Sequence, residues 1–190
     1  MISYFDLSHR FKRSMLEITS ESSYDILWNY LKPLRKERLP DGTKFRVASG
    51  KKSYDIIRLF ESGEEFYSQK VIDVLSQFVD MSDKCYPIEI ENVNEPYYVI
   101  YNLEAYPFWN RDESLFEDEP FCFNVQDSSF PLFGIEDTRR IMVSSDIRDA
   151  LFKNKLSNVK MTECFGCSWK EYQKMRNSEV WPKVHVYEDK

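Results

Sequence analysis

Three kinds of chemistry are open to this chain, through its cysteines, its histidines and its carboxylates, and each is thinly supplied. Cys164-Phe165-Gly166-Cys167 is a CxxC pair that follows a strand-like run and precedes a predicted helix. A helix N-terminus stabilises a thiolate, so the placement admits a thiol oxidoreductase using Cys164 and Cys167. It equally admits two half-buried thiols beside a turn. A zinc site needs four ligands, usually as two pairs. The remaining candidates, Cys85, Cys122, His9 and His185, are single and far apart in sequence. His9 lies among Arg10, Lys12 and Arg13 and reads as exposed. His185 falls in a predicted terminal strand, where it could serve Cys164 or Cys167 as a base.

Carboxylates are plentiful but poorly patterned for catalysis. Glu104, Asp112, Glu113, Glu117, Asp118 and Glu119 gather around a single cation, Arg111. The stretch lacks the Gly-centred alternation of a calcium loop. Phe108, Trp109, Leu115 and Phe116 are interleaved with it. Aromatics beside charges are the composition of interface hot spots. Glu104, Trp109, Asp112, Glu113, Glu117, Asp118 and Glu119 are therefore the candidate partner-binding residues, with a solvated loop as the plainer reading. Lys32, Arg35, Lys36 and Arg38, then Lys44, Arg46, Lys51 and Lys52, form a basic region with Tyr54 beyond it. It shows no recognisable nucleic-acid module. The phosphate-loop, nucleophile-elbow and zinc-protease motifs are absent. No catalytic residue, cofactor or metal ligand is assigned, and neither nucleic acid nor a membrane is expected as partner.

The bulk properties are ordinary for a soluble protein and do not by themselves indicate a function. The 190 residues are 42% hydrophobic and 16% aromatic, with mean hydropathy −0.55 and net charge −6. Aromatic content of this order argues against disorder. No apolar run approaches the roughly 20 residues of a membrane helix. The opening residues lack a basic region followed by an apolar one, which predicts a cytosolic protein with reduced thiols. Residues 1–60 hold 12 Lys and Arg against 7 Asp and Glu, so the negative charge lies beyond them.

Hydrophobic spacing predicts the elements that must position these groups. Strands are expected at Ile2–Leu7, Lys44–Val47, Glu65–Tyr67, Tyr86–Ile90, Tyr97–Leu103, Phe121–Val125, Leu132–Ile135, Ile141–Val143, Val159–Thr162 and Val184–Tyr187. Helices are expected over Tyr24–Leu34, after Ser68, after Ser144 or Ser145, and over Ser168–Met175. Asp55–Phe60 fits either state. Tyr67-Ser68-Gln69-Lys70-Val71-Ile72-Asp73-Val74-Leu75 lines up with Val143-Ser144-Ser145-Asp146-Ile147-Arg148-Asp149-Ala150-Leu151. In each, a strand meets a serine able to cap the following helix. The expected fold is α+β, a mixed sheet with a few helices built on two diverged strand–helix–strand units. Residues 1–190 form one domain, divisible into lobes 1–62 and 63–190.

The order of these elements resembles a family of immunity proteins from bacterial polymorphic toxin systems, immunity family eleven, once catalogued only as a domain of unknown function. Tyr4-Phe5-Asp6-Leu7-Ser8 is similar to its first strand. Phe66-Tyr67-Ser68 with Val71, Ile72 and Leu75 is similar to its first strand–Ser–helix unit, and Tyr86-Pro87-Ile88 to the strand after it. Tyr97-Tyr98-Val99-Ile100 and Asp112-Glu113-Ser114 are similar to its central strand and D-x-S element. Ile141-Met142-Val143-Ser144 with Ile147, Ala150 and Leu151 is similar to its closing unit. The resemblance runs from about residue 1 to 165. This chain departs from it at Asn158, where the family tends to carry glycine, and in the tail from Phe165 to Lys190. It implies a cytosolic α+β protein without catalysis of its own that binds and neutralises a cognate toxin.

Overall fold

The computed structural model describes residues 2–31, 34–107, 122–123, 129–136, 138–166, 174 and 184–186. The first half of the chain forms β1 (Ile2–His9), β2 (Glu17–Ser20), α1 (Tyr24–Trp28), β3 (Phe45–Ser49), β4 (Ile56–Leu59), β5 (Glu65–Ser68), α2 (Gln69–Leu75) and β6 (Cys85–Ile88). The second forms β7 (Tyr97–Ile100), β8 (Ala105–Tyr106), β9 (Cys122–Phe123), β10 (Leu132–Ile135), β11 (Ile141–Val143), α3 (Ser145–Lys153), β12 (Val159–Gly166) and β13 (Val184–Val186). The fold is α+β. Among the described residues one sheet has the order β13-β12-β1-β11-β10-β8, with β9 also on β12, and the other β3-β2-β4-β5-β7-β6. β4 and β5 lie on either side of residue 62 and pair antiparallel within one sheet.

The two sheets are versions of one plan. In one, a row of paired residues runs Ile56, Tyr67, Tyr98, Pro87 across β4-β5-β7-β6. In the other it runs Leu132, Val143, Phe5, Glu163 across β10-β11-β1-β12. Every neighbour in both rows is antiparallel. A further strand joins in parallel at the same place, β2 on β4 and β8 on β10. From β4 to β6 and from β10 to β12 the equivalent paired residues keep a constant interval of 76, so residues 56–88 align with 132–164 without insertion. The duplication therefore extends well beyond the strand–helix–strand units expected from sequence.

The leading strand of each repeat sits in the other repeat's sheet. β1 precedes β2 but lies between β11 and β12; β7 precedes β8 but lies between β5 and β6. The exchanged strands align as Tyr4-Phe5-Asp6-Leu7 against Tyr97-Tyr98-Val99-Ile100. This reciprocal exchange ties the halves together, because neither sheet is complete without a strand from the other half.

Local chemistry explains the matched helices. Ser68 and Ser144 have extended backbones, and their hydroxyls accept from the N–H of Val71 and Ile147, both at 3.4 Å. The Ser68 hydroxyl also donates to Asp55 at 2.7 Å. Serine-to-alanine at a cap costs about 1 kcal/mol. Urea unfolding of Ser144→Ala is expected to show about that loss, and Ser68→Ala about twice as much, because it also strips Asp55 of a partner. Equal losses would assign no weight to the Asp55 bond.

Among the described residues, strand alternation sorts the side chains into three cores. Phe5, Leu7, Ile141, Val143 and Met161 from one sheet meet Ile56, Tyr67 and Ile100 from the other, with Val71, Leu75, Ile147 and Leu151 from α2 and α3. The outer face of the β2–β7 sheet packs Phe45, Ile57, Phe66 and Val99 against Leu27 and Leu31. The outer face of the other sheet packs Tyr4, Phe133, Met142 and Cys164. α1 is shorter than the Tyr24–Leu34 span expected, ending at Trp28 with Asn29 as its cap. Pro33 has no N–H to give the Asn29 carbonyl, so the helix cannot continue through it. Asp55–Phe60, ambiguous in sequence, contains the strand β4. Of the predicted Ser168–Met175 helix only Lys174, a helical residue, is described.

Candidate functional site

The sheets meet over a cleft of about 510 Å³ lined by Asp6, His9, Glu64, Glu65, Tyr67 and Arg140 together with Leu7, Ser8, Leu31, Gly63, Ile100, Arg139 and Ile141. It straddles the relation between the repeats: Leu7 and Ile100 are equivalent, as are Gly63 and Arg139, Glu64 and Arg140, Glu65 and Ile141. The polar groups belong mostly to one member of each pair. Asp6 stands where the sister repeat has Val99, and Tyr67 where it has Val143.

Each charged group in the cleft has a partner. The His9 N–H donates to Glu65 Oε1 at 2.8 Å, and His9 Nδ1 lies 2.5 Å from the same oxygen. The Tyr67 hydroxyl donates to Glu65 Oε2 at 2.9 Å. Arg140 donates to Asp6 Oδ2 at 2.6 Å, and Arg139 pairs with Glu64 at 2.9 Å while its guanidinium lies over the Trp28 ring. Burial pushes the Asp6 carboxyl up to about 6, against the pull of Arg140 and with the help of Glu65. Burial, then Glu65, raises the Tyr67 hydroxyl well above its ordinary value. Just outside, burial works against the ionised Glu17, but hydrogen bonds from Ser49 and Arg58 outweigh it and hold that carboxyl below the usual range.

His9 oriented by Glu65 resembles two parts of a nucleophile–base–carboxylate relay. Among the described lining residues Ser8 is the one serine, threonine or cysteine. Its hydroxyl faces Lys160 O at 3.4 Å, and strand alternation turns it away from His9. The arrangement is an ion-pair seam joining β1 and the β10–β11 turn to β4 and β5. Among the described residues no group of three or more His, Cys, Asp or Glu is placed to hold a metal ion.

The sequence missed this cleft. His9 is not the exposed residue its basic neighbours suggested: its side chain is 16% exposed, because β1 runs through the middle of a sheet and delivers it to Glu65. Cys164 is not at a helix N-terminus. It lies inside β12 opposite Tyr4, fully buried, with its thiol 3.5 Å from Thr162 O. His185 pairs with Met161, three residues and roughly 10 Å along the strand from Cys164. Cys167 lies outside the described residues, as do Trp109, Asp112, Glu113, Glu117, Asp118 and Glu119. Glu104 is described: it is exposed beside β8 and accepts from the Tyr106 hydroxyl at 2.6 Å. No helix among the described residues is long and apolar enough to cross a membrane. Compared with known proteins, the chain matches no family model, no curated protein and no solved structure.

Proposed function

We propose that the chain is an immunity-type binding protein that captures a toxin domain and blocks it, with no reaction of its own. One observation carries the reading. The immunity family that the sequence resembles tends to have glycine at the position of Asn158, and the Asn158 backbone has φ +52°, in the left-handed region that glycine favours and asparagine tolerates. The departure in residue type thus preserves the backbone requirement. The segments that carry the resemblance and are described form β1, β5 with α2, β6, β7, and β11 with α3; Asp112-Glu113-Ser114 lies outside the described residues. The internally paired cleft supports a binding role over a catalytic one.

An inhibitor that must act before its target does gains from electrostatic steering. The acidic stretch with Asp112, Glu113, Glu117, Asp118 and Glu119 would supply it against a toxin with a basic cleft. The test is co-expression with the product of the adjacent gene, followed by pull-down and growth assay. A stable complex with growth rescue is expected; the absence of both would overturn the reading in favour of the other non-enzymatic alternative, a non-catalytic adaptor in a larger bacterial assembly. Within such a complex, amides at those five acids should slow association about tenfold and flatten its salt dependence. Unchanged kinetics would remove the stretch from the interface.

A further inference from the structure

The fold assembles a basic surface from two segments that the sequence keeps apart. Residues 10–16 carry Arg10, Lys12 and Arg13 and no acid; residues 44–54 carry Lys44, Arg46, Lys51 and Lys52 and no acid. The two lie side by side. The Lys51 and Lys52 N–H groups both donate to Ser14 O, at 3.0 and 2.9 Å, and the Leu16 N–H donates to Lys52 O at 3.0 Å. Gly50 permits the approach: with φ +78°, a Cβ there would fall 1.8 Å from Met15 O. Arg10, Arg13, Arg46, Lys51 and Lys52 are exposed. The nearest acids in sequence are engaged elsewhere, Glu17 with Arg58 and Ser49, Asp55 with Ser68 and Ser157.

Two aromatics stand beside these cations. Phe11 is 54% and Phe60 57% exposed, more than any other large apolar side chain among the described residues. The Arg58 guanidinium lies 4.7 Å from the Phe11 ring centre, and Phe60 follows Arg58 by two residues, just past the end of β4. Lys12 lies over the Tyr54 ring at 4.9 Å.

We propose that this surface docks an acidic, extended segment of a partner protein. Lys44 and Arg46 share a cleft with Glu21, Glu89 and Glu91, so the cations that repel one another are Arg10, Lys12, Arg13, Lys51 and Lys52, and a run of carboxylates relieves that repulsion. Exposed phenylalanines set among arginines are a hot-spot composition. A nucleic acid fits less well. One face each of Phe11 and Tyr54 is already covered by a cation, which leaves less ring surface for bases to stack on. The surface shares no residue with the acidic stretch considered above, and the proposal stands whether or not the partner is a toxin.

The probe is a short fluorescein-labelled peptide of alternating Glu and Asp with one central tyrosine, titrated with the full chain and read by anisotropy. Saturable binding is expected, about tenfold weaker at about 300 mM than at about 50 mM salt. Arg13→Gln/Lys51→Gln/Lys52→Gln should weaken it about tenfold, and Phe11→Ala/Phe60→Ala severalfold, with melting temperatures unchanged. Absence of binding at low salt, or equal binding by the triple variant, would overturn the proposal. Tighter binding of an oligothymidylate of equal charge would overturn it in favour of nucleic acid. Self-association abolished by the triple variant would reassign the surface to a second copy of the chain.

Discussion

Asn158→Ala is expected to destabilise the protein by about 3–5 kcal/mol, one of the largest effects of any single side chain here. Asn158 is fully buried just before β12 in one sheet, and it grips β4 in the other. Its Oδ1 accepts from the Ile56 N–H at 3.1 Å and its Nδ2 donates to Ile56 O at 2.7 Å, so the amide acts as one rung of a strand ladder between sheets. Its own carbonyl accepts from the Arg10 N–H at 2.6 Å. Ser157 adds bonds from its N–H and hydroxyl to Asp55, at 2.6 and 2.7 Å. Alanine would orphan two buried backbone groups at about 1–3 kcal/mol each and would strain the left-handed backbone by about 1 kcal/mol. Asn158→Gly would orphan the same groups without the strain, so it should be the milder variant by about 1 kcal/mol. Urea unfolding of both variants checks this. A loss below about 1 kcal/mol in alanine would sink the clamp, and alanine no worse than glycine would sink the backbone argument that supports the immunity reading.

The clamp also shows what the sequence could and could not disclose. The repeat was legible at Ser68 and Ser144 because a cap is local: serine, then apolar residues at helical spacing, within one turn. The same grammar placed β5, β11, α2 and α3 within a residue or two. Sheet order was not legible. It depends on β1 and β7 crossing into each other's sheets, a long-range choice that leaves no mark except the likeness of Tyr4-Phe5-Asp6-Leu7 to Tyr97-Tyr98-Val99-Ile100. The cleft was hidden for the same reason. Asp6 and Arg140 are 134 positions apart and His9 and Glu65 are 56 apart, and neither pair has a motif. One signal was present: Asp6 interrupts a strand whose counterpart carries valine, and a charge at a core-strand position asks for a buried partner. Cys164 lies in β12, not at a helix start; CxxC spacing is as compatible with a strand as with a helix start.

Asp6→Asn is expected to stabilise the protein at neutral pH and to change little in acid. Asp6 is 8% exposed, and its carboxyl is raised from 3.8 to about 6. A carboxyl raised by folding binds its proton more tightly in the native state than in the unfolded chain. Stability is therefore greatest with the group protonated, below about pH 4, and falls as pH rises through about 6. A shift of this size corresponds to at most about 3 kcal/mol above that window. Burial outweighs the Arg140 ion pair, in keeping with the general weakness of buried ion pairs. Asparagine keeps an oxygen for Arg140 and removes the charge, while Arg140, 24% exposed, retains access to water. The net gain should be about 1–2 kcal/mol at pH 8 and near zero at pH 4, read from urea midpoints across that range. Destabilisation at pH 8 would show that the Asp6–Arg140 bond holds the seam more strongly than burial opposes it, and a pH-independent difference would show that the two balance; either outcome overturns the expectation. A gain confined to higher pH would mean that the chain keeps a costly carboxylate where its sister repeat has Val99, which marks the cleft as a place where sequence has been set by something other than stability.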